Sequence, residues 1–132
     1  MSQFNNRSMG LFDIFSEIKQ NSGKNDFPWI SLNDVTPLDE IQQTNDKTTV
    51  IFKHSSRCGI SSSVLSRFEK KYQDKVDRIE FYLLDLLNYR AVSSEIAERF
   101  QITHQSPQII VLENGKVKTH ASHYDILEIT IN

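Results

Sequence analysis

One stretch, from Thr48 to Tyr72, constrains this chain more than any other. An apolar, β-branched run, Thr48-Thr49-Val50-Ile51-Phe52, leads into Lys53-His54-Ser55-Ser56-Arg57-Cys58-Gly59. Beyond it Ile60, Val64, Leu65, Phe68 and Tyr72 recur at steps of three to four, with charged residues between them. The first pattern predicts a buried strand and the second an amphipathic helix. The small polar residues between them predict a tight turn. Cys58, the sole cysteine, is thereby placed at the start of the helix. The first helical turn presents unpaired N–H groups and the positive end of the helix dipole, which together with Arg57 favour a thiolate. The thiolate is the nucleophilic form of cysteine. A lone cysteine is often an inert, buried hydrophobe. Here the flanking Ser55, Ser56, Gly59, Ser61, Ser62 and Ser63 fit a turn better than a core, so the reading favours a reactive thiol.

Composition narrows the classes. The chain has 132 residues, 38% hydrophobic and 24% charged, which suits a single globular domain. A net charge of −2 without a long basic run gives no reason to expect nucleic acid. No run reaches the ~18 apolar residues of a membrane span. The first eight residues lack an apolar signal core, so a cytoplasmic location is expected. One cysteine forms no intramolecular disulfide, which fits a reduced compartment. With four scattered histidines it makes a poor zinc site, so no metal is expected.

The rest of the chain is read in order. Residues 1–26 are expected to hold a short helix, with Leu11, Phe12, Phe15 and Ile18 on one face, and a flexible linker; residues 27–132 form the main domain. Phe27-Pro28-Trp29-Ile30-Ser31-Leu32 reads as an irregular segment or a short edge strand. Thr36 as N-cap and Pro37 at the first helical position start a helix with Leu38 and Ile41 inside. After the Cys58 unit, Arg78–Asp85 reads as a strand parallel to the first, because strand, helix, strand of this length is a βαβ unit. Ser93 or Ser94 is expected to cap a helix over Glu95–Phe100. Ile109–Leu112 and Lys116–His120 flank Asn114-Gly115, a strong hairpin signal. A last helix is expected from Tyr124 to about Ile129. The class is α/β, with a central mixed sheet and helices on both faces.

A reactive cysteine after the first core strand and a proline, Pro107, opening the hairpin resemble the thioredoxin-like fold. Ser61 stands three residues after Cys58, where a dithiol oxidoreductase carries its second cysteine, so the motif is Cys-x-x-Ser. The run Phe52-Lys53-His54-Ser55-Ser56-Arg57-Cys58-Gly59-Ile60-Ser61 resembles the monothiol bacilliredoxins of the YtxJ-like family. Ser106-Pro107-Gln108, Asn114-Gly115 and His120-Ala121-Ser122-His123 resemble that family's second block. The resemblance covers roughly residues 30 to 130. It departs at Gly59, where many members have proline; glycine restores an N–H that can point at sulfur.

The resemblance implies removal of bacillithiol from S-bacillithiolated proteins. Cys58 would be the nucleophile, bacillithiol a co-substrate, and no cofactor would stay bound. Arg57, Gly59 and Ser61 would support the thiolate. The other reading of Arg57 is a solvated surface charge, and that of Ser61 is a hydroxyl that satisfies an amide of the first helical turn. Pro107 would be a cis proline, leaving Ser106 open to pair with substrate backbone. His54 reads as a packed strand histidine rather than a general base. Two other functions compete. One is a non-catalytic binding or redox-sensing module of the same fold. The other is an arsenate-reductase-like enzyme, which wants an arginine cluster that Arg57 and Arg67 do not supply.

Overall fold

The structure, a computed structural model, describes residues 27–132. The expected helix near Leu11–Ile18 lies outside the described residues. Among the described residues five strands form one mixed sheet: β1 (Ile30–Ser31), β2 (Thr48–His54), β3 (Ile79–Asp85), β4 (Gln108–Glu113) and β5 (Lys116–Ser122), in the order β1-β3-β2-β4-β5. β2 pairs parallel with β3 from Thr48↔Ile79 to His54↔Asp85, and antiparallel with β4 from Thr48↔Glu113 to Lys53↔Gln108. The central strand is therefore β2, which ends at the cysteine turn. Its five inner residues, Thr49 to Lys53, are buried, as a strand covered on both faces requires.

Among the described residues three α-helices cover the sheet: α1 (Thr36–Gln43), α2 (Gly59–Lys71) and α3 (Arg90–Phe100). Side chains alternate across β2. Val50 and Phe52 join Val64 and Phe68 of α2 and Tyr72 at its C-cap, with Phe27 and Phe81, in one apolar layer. Ile51 joins Leu38 and Ile41 of α1 and Val92 and Ile96 of α3 in the other. Trp29 packs against Phe68, with ring centroids 6.0 Å apart and planes at 25°, and donates from Nε1 to Glu69 Oε2 at 2.6 Å.

Several element boundaries differ from the sequence reading, four of them with a structural cause or consequence. Thr36 is the first helical residue of α1 rather than its cap; Val35 occupies the N-cap, and Asp34 Oδ1 accepts its N–H at 2.6 Å. α3 starts at Arg90, before Ser93. The turn after β3 already winds at helical pitch, because Asn88 and Tyr89 both donate their N–H to the Asp85 carbonyl. Ser93 and Ser94 thus lie inside the helix. β2 continues through His54, so the turn is shorter than expected. The closing segment is a 3-10 helix, His123–Leu127, and not an α-helix to Ile129. The chain beyond it is held from α2: Lys71 Nζ donates to the carbonyls of Leu127 and Ile129, and Tyr72 OH donates to that of Ile129.

The hairpin matches its sequence signal. Asn114 and Gly115 adopt φ of 55° and 79°, the left-handed pair that a two-residue hairpin turn demands. Asn114 also braces the β2 side of the molecule, accepting the Asp46 N–H on Oδ1 at 2.6 Å.

Candidate active site

Cys58 is the N-cap of α2 and is partly exposed. Its backbone is extended, with φ −109° and ψ 118°. The turn that carries it closes through the Cys58 N–H donating to the Ser55 carbonyl at 3.1 Å. The helix begins with the Ser62 N–H donating to the Cys58 carbonyl at 3.1 Å. The sulfur is thereby fixed at the N-terminal end of a 13-residue helix, as the apolar spacing implied.

Ser61 is fully buried. Its Oγ accepts the Ser55 N–H at 3.1 Å and lies 2.7 Å from His54 Nδ1. So the hydroxyl at the position of a second cysteine ties the end of β2, the turn and α2 together. The amide it satisfies is that of Ser55 in the turn ahead of the helix, rather than one in the first helical turn as the second sequence reading has it. Burial holds the His54 pKa below the usual histidine value, partly offset by the charges of Asp85 and then Glu69. With His54 neutral and its proton on Nε2, Ser61 donates to Nδ1.

Arg57 is exposed in the turn, without an ion-pair partner among the described residues. A Cβ built on Gly59 meets nothing within 4 Å, so the glycine is not required for space. The bond between Ser106 and Pro107 is cis. The β2–β4 ladder ends at Lys53↔Gln108, so Pro107 follows at the level of His54, where the Cys58 turn leaves the sheet. The Pro107 carbonyl accepts the His123 N–H at 3.0 Å. His123 makes that bond from a left-handed backbone, φ 56°. This gives the His120–His123 segment a role that spacing alone did not reveal: its backbone holds the proline loop. Ser106 Oγ and Asp85 Oδ1 are buried without a hydrogen-bond partner among the described residues.

A cavity of about 570 Å³ runs along α2 between His54, Ser62, Leu65, Ser66 and Glu69. Among the described residues no cluster of His, Cys, Asp or Glu is built to hold a metal ion, and no helix is long and apolar enough to cross a membrane.

Two residues escaped the sequence reading. His54 is a packed strand histidine, as expected, but it also contacts the Ser61 hydroxyl. The available signal was that His54 follows Phe52 on the α2 face of the strand, with Ser61 on the first turn of that helix. Lys53, the other, is completely buried in the central strand. A lysine that follows Ile51 on the same inner face was the signal.

Comparison with known proteins agrees with this geometry. A solved thioredoxin-fold protein, provisionally described as an oxidoreductase, superposes with a TM-score of 0.66 at 27% identity, over 74% of this chain and 84% of its own. Thioredoxin of Malassezia sympodialis superposes with a TM-score of 0.63 at 19% identity, over 83% and 91% of the two chains. Thioredoxin of Trypanosoma brucei brucei gives 0.61 at 20%, over 84% and 90%. These place the chain in the thioredoxin fold. Residues 30–131 match the family described as monothiol bacilliredoxin BrxC. The chain belongs to the monothiol bacilliredoxin family, and its role is in thiol redox chemistry.

Proposed function

We propose that this protein is a monothiol reductase that frees protein cysteines from mixed disulfides with bacillithiol. The observation that carries this reading is the placement of the chain's single cysteine. Cys58 stands partly exposed at the start of α2, while the position three residues on holds a buried hydroxyl already engaged by His54 and Ser55. A site with one sulfur can accept a small thiol but cannot expel it by itself.

The Cys58 thiolate attacks the bacillithiol sulfur of the mixed disulfide. A new sulfur–sulfur bond forms to Cys58, the old one breaks, and the substrate cysteine leaves as a thiolate. Attack by an external thiol, free bacillithiol or that of another redoxin, then regenerates Cys58 and carries the small thiol away as a disulfide. Arg57 and the Gly59 N–H are the groups that support the thiolate in this scheme. The Ser106–Pro107 loop is the edge that receives substrate backbone. Bacillithiol is a co-substrate, the partners are S-bacillithiolated proteins, and the chemistry suits a reducing, cytoplasmic setting.

The test is mass spectrometry after mixing the protein with a bacillithiolated model protein, wild type against Cys58→Ala. The expected result is a gain of one bacillithiol on Cys58 with release of the reduced model protein, and neither event in Cys58→Ala. A folded wild-type domain that takes up no bacillithiol on Cys58 refutes the reading.

A further inference from the structure

The face of the sheet opposite the cysteine helix holds a second polar site. Lys53 is fully buried, yet among the described residues no carboxylate pairs with it. Its ammonium donates to the Ser93 carbonyl at 3.1 Å and to His104 Nδ1 at 3.3 Å. Ser93 Oγ lies 3.3 Å from the same His104 nitrogen. With Nδ1 accepting from lysine, the proton of a neutral His104 sits on Nε2 as a donor. Directly over this group opens a cavity of about 660 Å³, lined by Arg90, Ser93, Ser94 and Thr103 besides His104.

The charges there are one-sided. A buried ammonium needs a counter-charge, and a carbonyl with an imidazole nitrogen gives it only dipoles. Arg90 adds a second positive charge at the same end of α3. Burial first, then the charges of Lys53 and Arg90, push the His104 pKa below its ordinary value, as a positive field does. Among the described residues Glu98 is the one acid lining the cavity. It sits eight residues along α3 from Arg90, about 12 Å down the axis at 1.5 Å per residue. The cationic end is therefore not neutralised by the acidic one.

We propose that this cavity is a binding site for a small oxyanion, a carboxylate or phosphate group, seated against Arg90, Ser94, Thr103 and the His104 Nε2–H with Lys53 behind them. The anion supplies the counter-charge that Lys53 lacks. Because Lys53 and His54 point to opposite faces of β2, this site is separate from the cysteine and does not depend on the reaction proposed there.

The test is an NMR titration of the full chain with inorganic phosphate and, in a second arm, malonate. Saturable shifts confined to Arg90, Ser93, Ser94, Thr103 and His104, with a rise in the His104 pKa, are expected. The arm that binds more tightly identifies phosphate or carboxylate. Arg90→Ala, an exposed change that leaves the core intact, weakens binding at least tenfold, and Lys53→Met does the same. Cys58→Ala leaves the titration unchanged. Linear, unsaturated shifts in both arms, or a titration unaltered in Arg90→Ala, overturn the proposal.

Discussion

His54 Nδ1 and Ser61 Oγ are 2.7 Å apart, joining the last residue of the central strand to the first turn of the cysteine helix. The contact is a three-way junction, because the Ser55 N–H donates to the same oxygen. Ser61→Ala deprives two groups at once. Leaving a buried donor or acceptor unpaired costs about 1–3 kcal/mol. The variant is expected to lose stability in that range by urea denaturation. It should also alkylate at Cys58 at an altered rate, since the turn loses its anchor. Unchanged stability would show that water replaces the hydroxyl without penalty.

The same contact has a pH signature. Burial keeps the folded His54 pKa below the value of about 6.5 in an unfolded chain. Between those two values the unfolded chain holds a proton that the folded one lacks. Stability from this group is complete above about pH 6.5 and is lost as pH falls through the folded pKa. His104 is shifted in the same direction and adds to the effect. The urea midpoint of the wild type should fall between pH 7 and 5, and fall less in His54→Gln. Parallel pH profiles for the two proteins would rule this out.

Lys53 gives a second test of the same sign, at high pH. Desolvation lowers its pKa from 10.5 to about 8. From pH 8 to about 10.5 the unfolded chain binds the proton that the folded one has released, so this contribution to stability rises with pH. At neutral pH the buried charge is a standing cost. Lys53→Met fills the same volume without a charge, and such replacements are often neutral or stabilising. The expected outcome is equal or higher stability than wild type at pH 7, with the gap closing towards pH 10.5. A large loss at pH 7 would mean that the bonds to Ser93 and His104 outweigh desolvation.

These two neighbours also show what was legible in the sequence. The strand, the turn and the start of the cysteine helix were readable because each is set by local pattern, as was the Asn114-Gly115 turn. The pairing of Ser61 with His54 was not, because a serine in the first turn of a helix is offered several amides and the fold chooses among them. Lys53 reads as solvated by composition, and only burial by α3 and the 102–104 segment makes it otherwise. The sequence reading places the start of α3 four to five residues late because it takes Ser93 or Ser94 as the cap, whereas Tyr89 is the N-cap, the Asp85 carbonyl starts the turn and Ser93 faces His104. The last helix was overread because Ile126, Leu127 and Ile129 suit a helical face, while the carbonyls of Leu127 and Ile129 are bound by Lys71 and that of Ile129 also by Tyr72.

Gly115 admits no side chain. Its φ is 79°, and an added Cβ would collide with the carbonyl carbon and oxygen of Gln42 at the end of α1. That obstacle is backbone and cannot rotate away. Gly115→Ala therefore combines left-handed strain of about 1 kcal/mol with displacement of α1. A loss of about 2–4 kcal/mol is expected by chemical denaturation, at the upper end for a single change. A loss below 1 kcal/mol would mean that the hairpin and α1 separate easily.

Gly59 is the contrasting case, and it bears on the cysteine directly. It is the first residue of α2, where proline is favoured because no helical bond uses that N–H. The preceding residue must be extended for proline to follow, and Cys58 is, at φ −109° and ψ 118°. Space is free around the position. Gly59→Pro should therefore stabilise the fold by about 0.4–1 kcal/mol through a stiffer unfolded chain. It also deletes one first-turn donor next to the sulfur. If that N–H supports the thiolate, alkylation of Cys58 by iodoacetamide at pH 7 slows severalfold while stability rises. If the rate is unchanged, the thiolate is held by the remaining first-turn amides and Arg57, and the glycine reflects no demand of the chemistry.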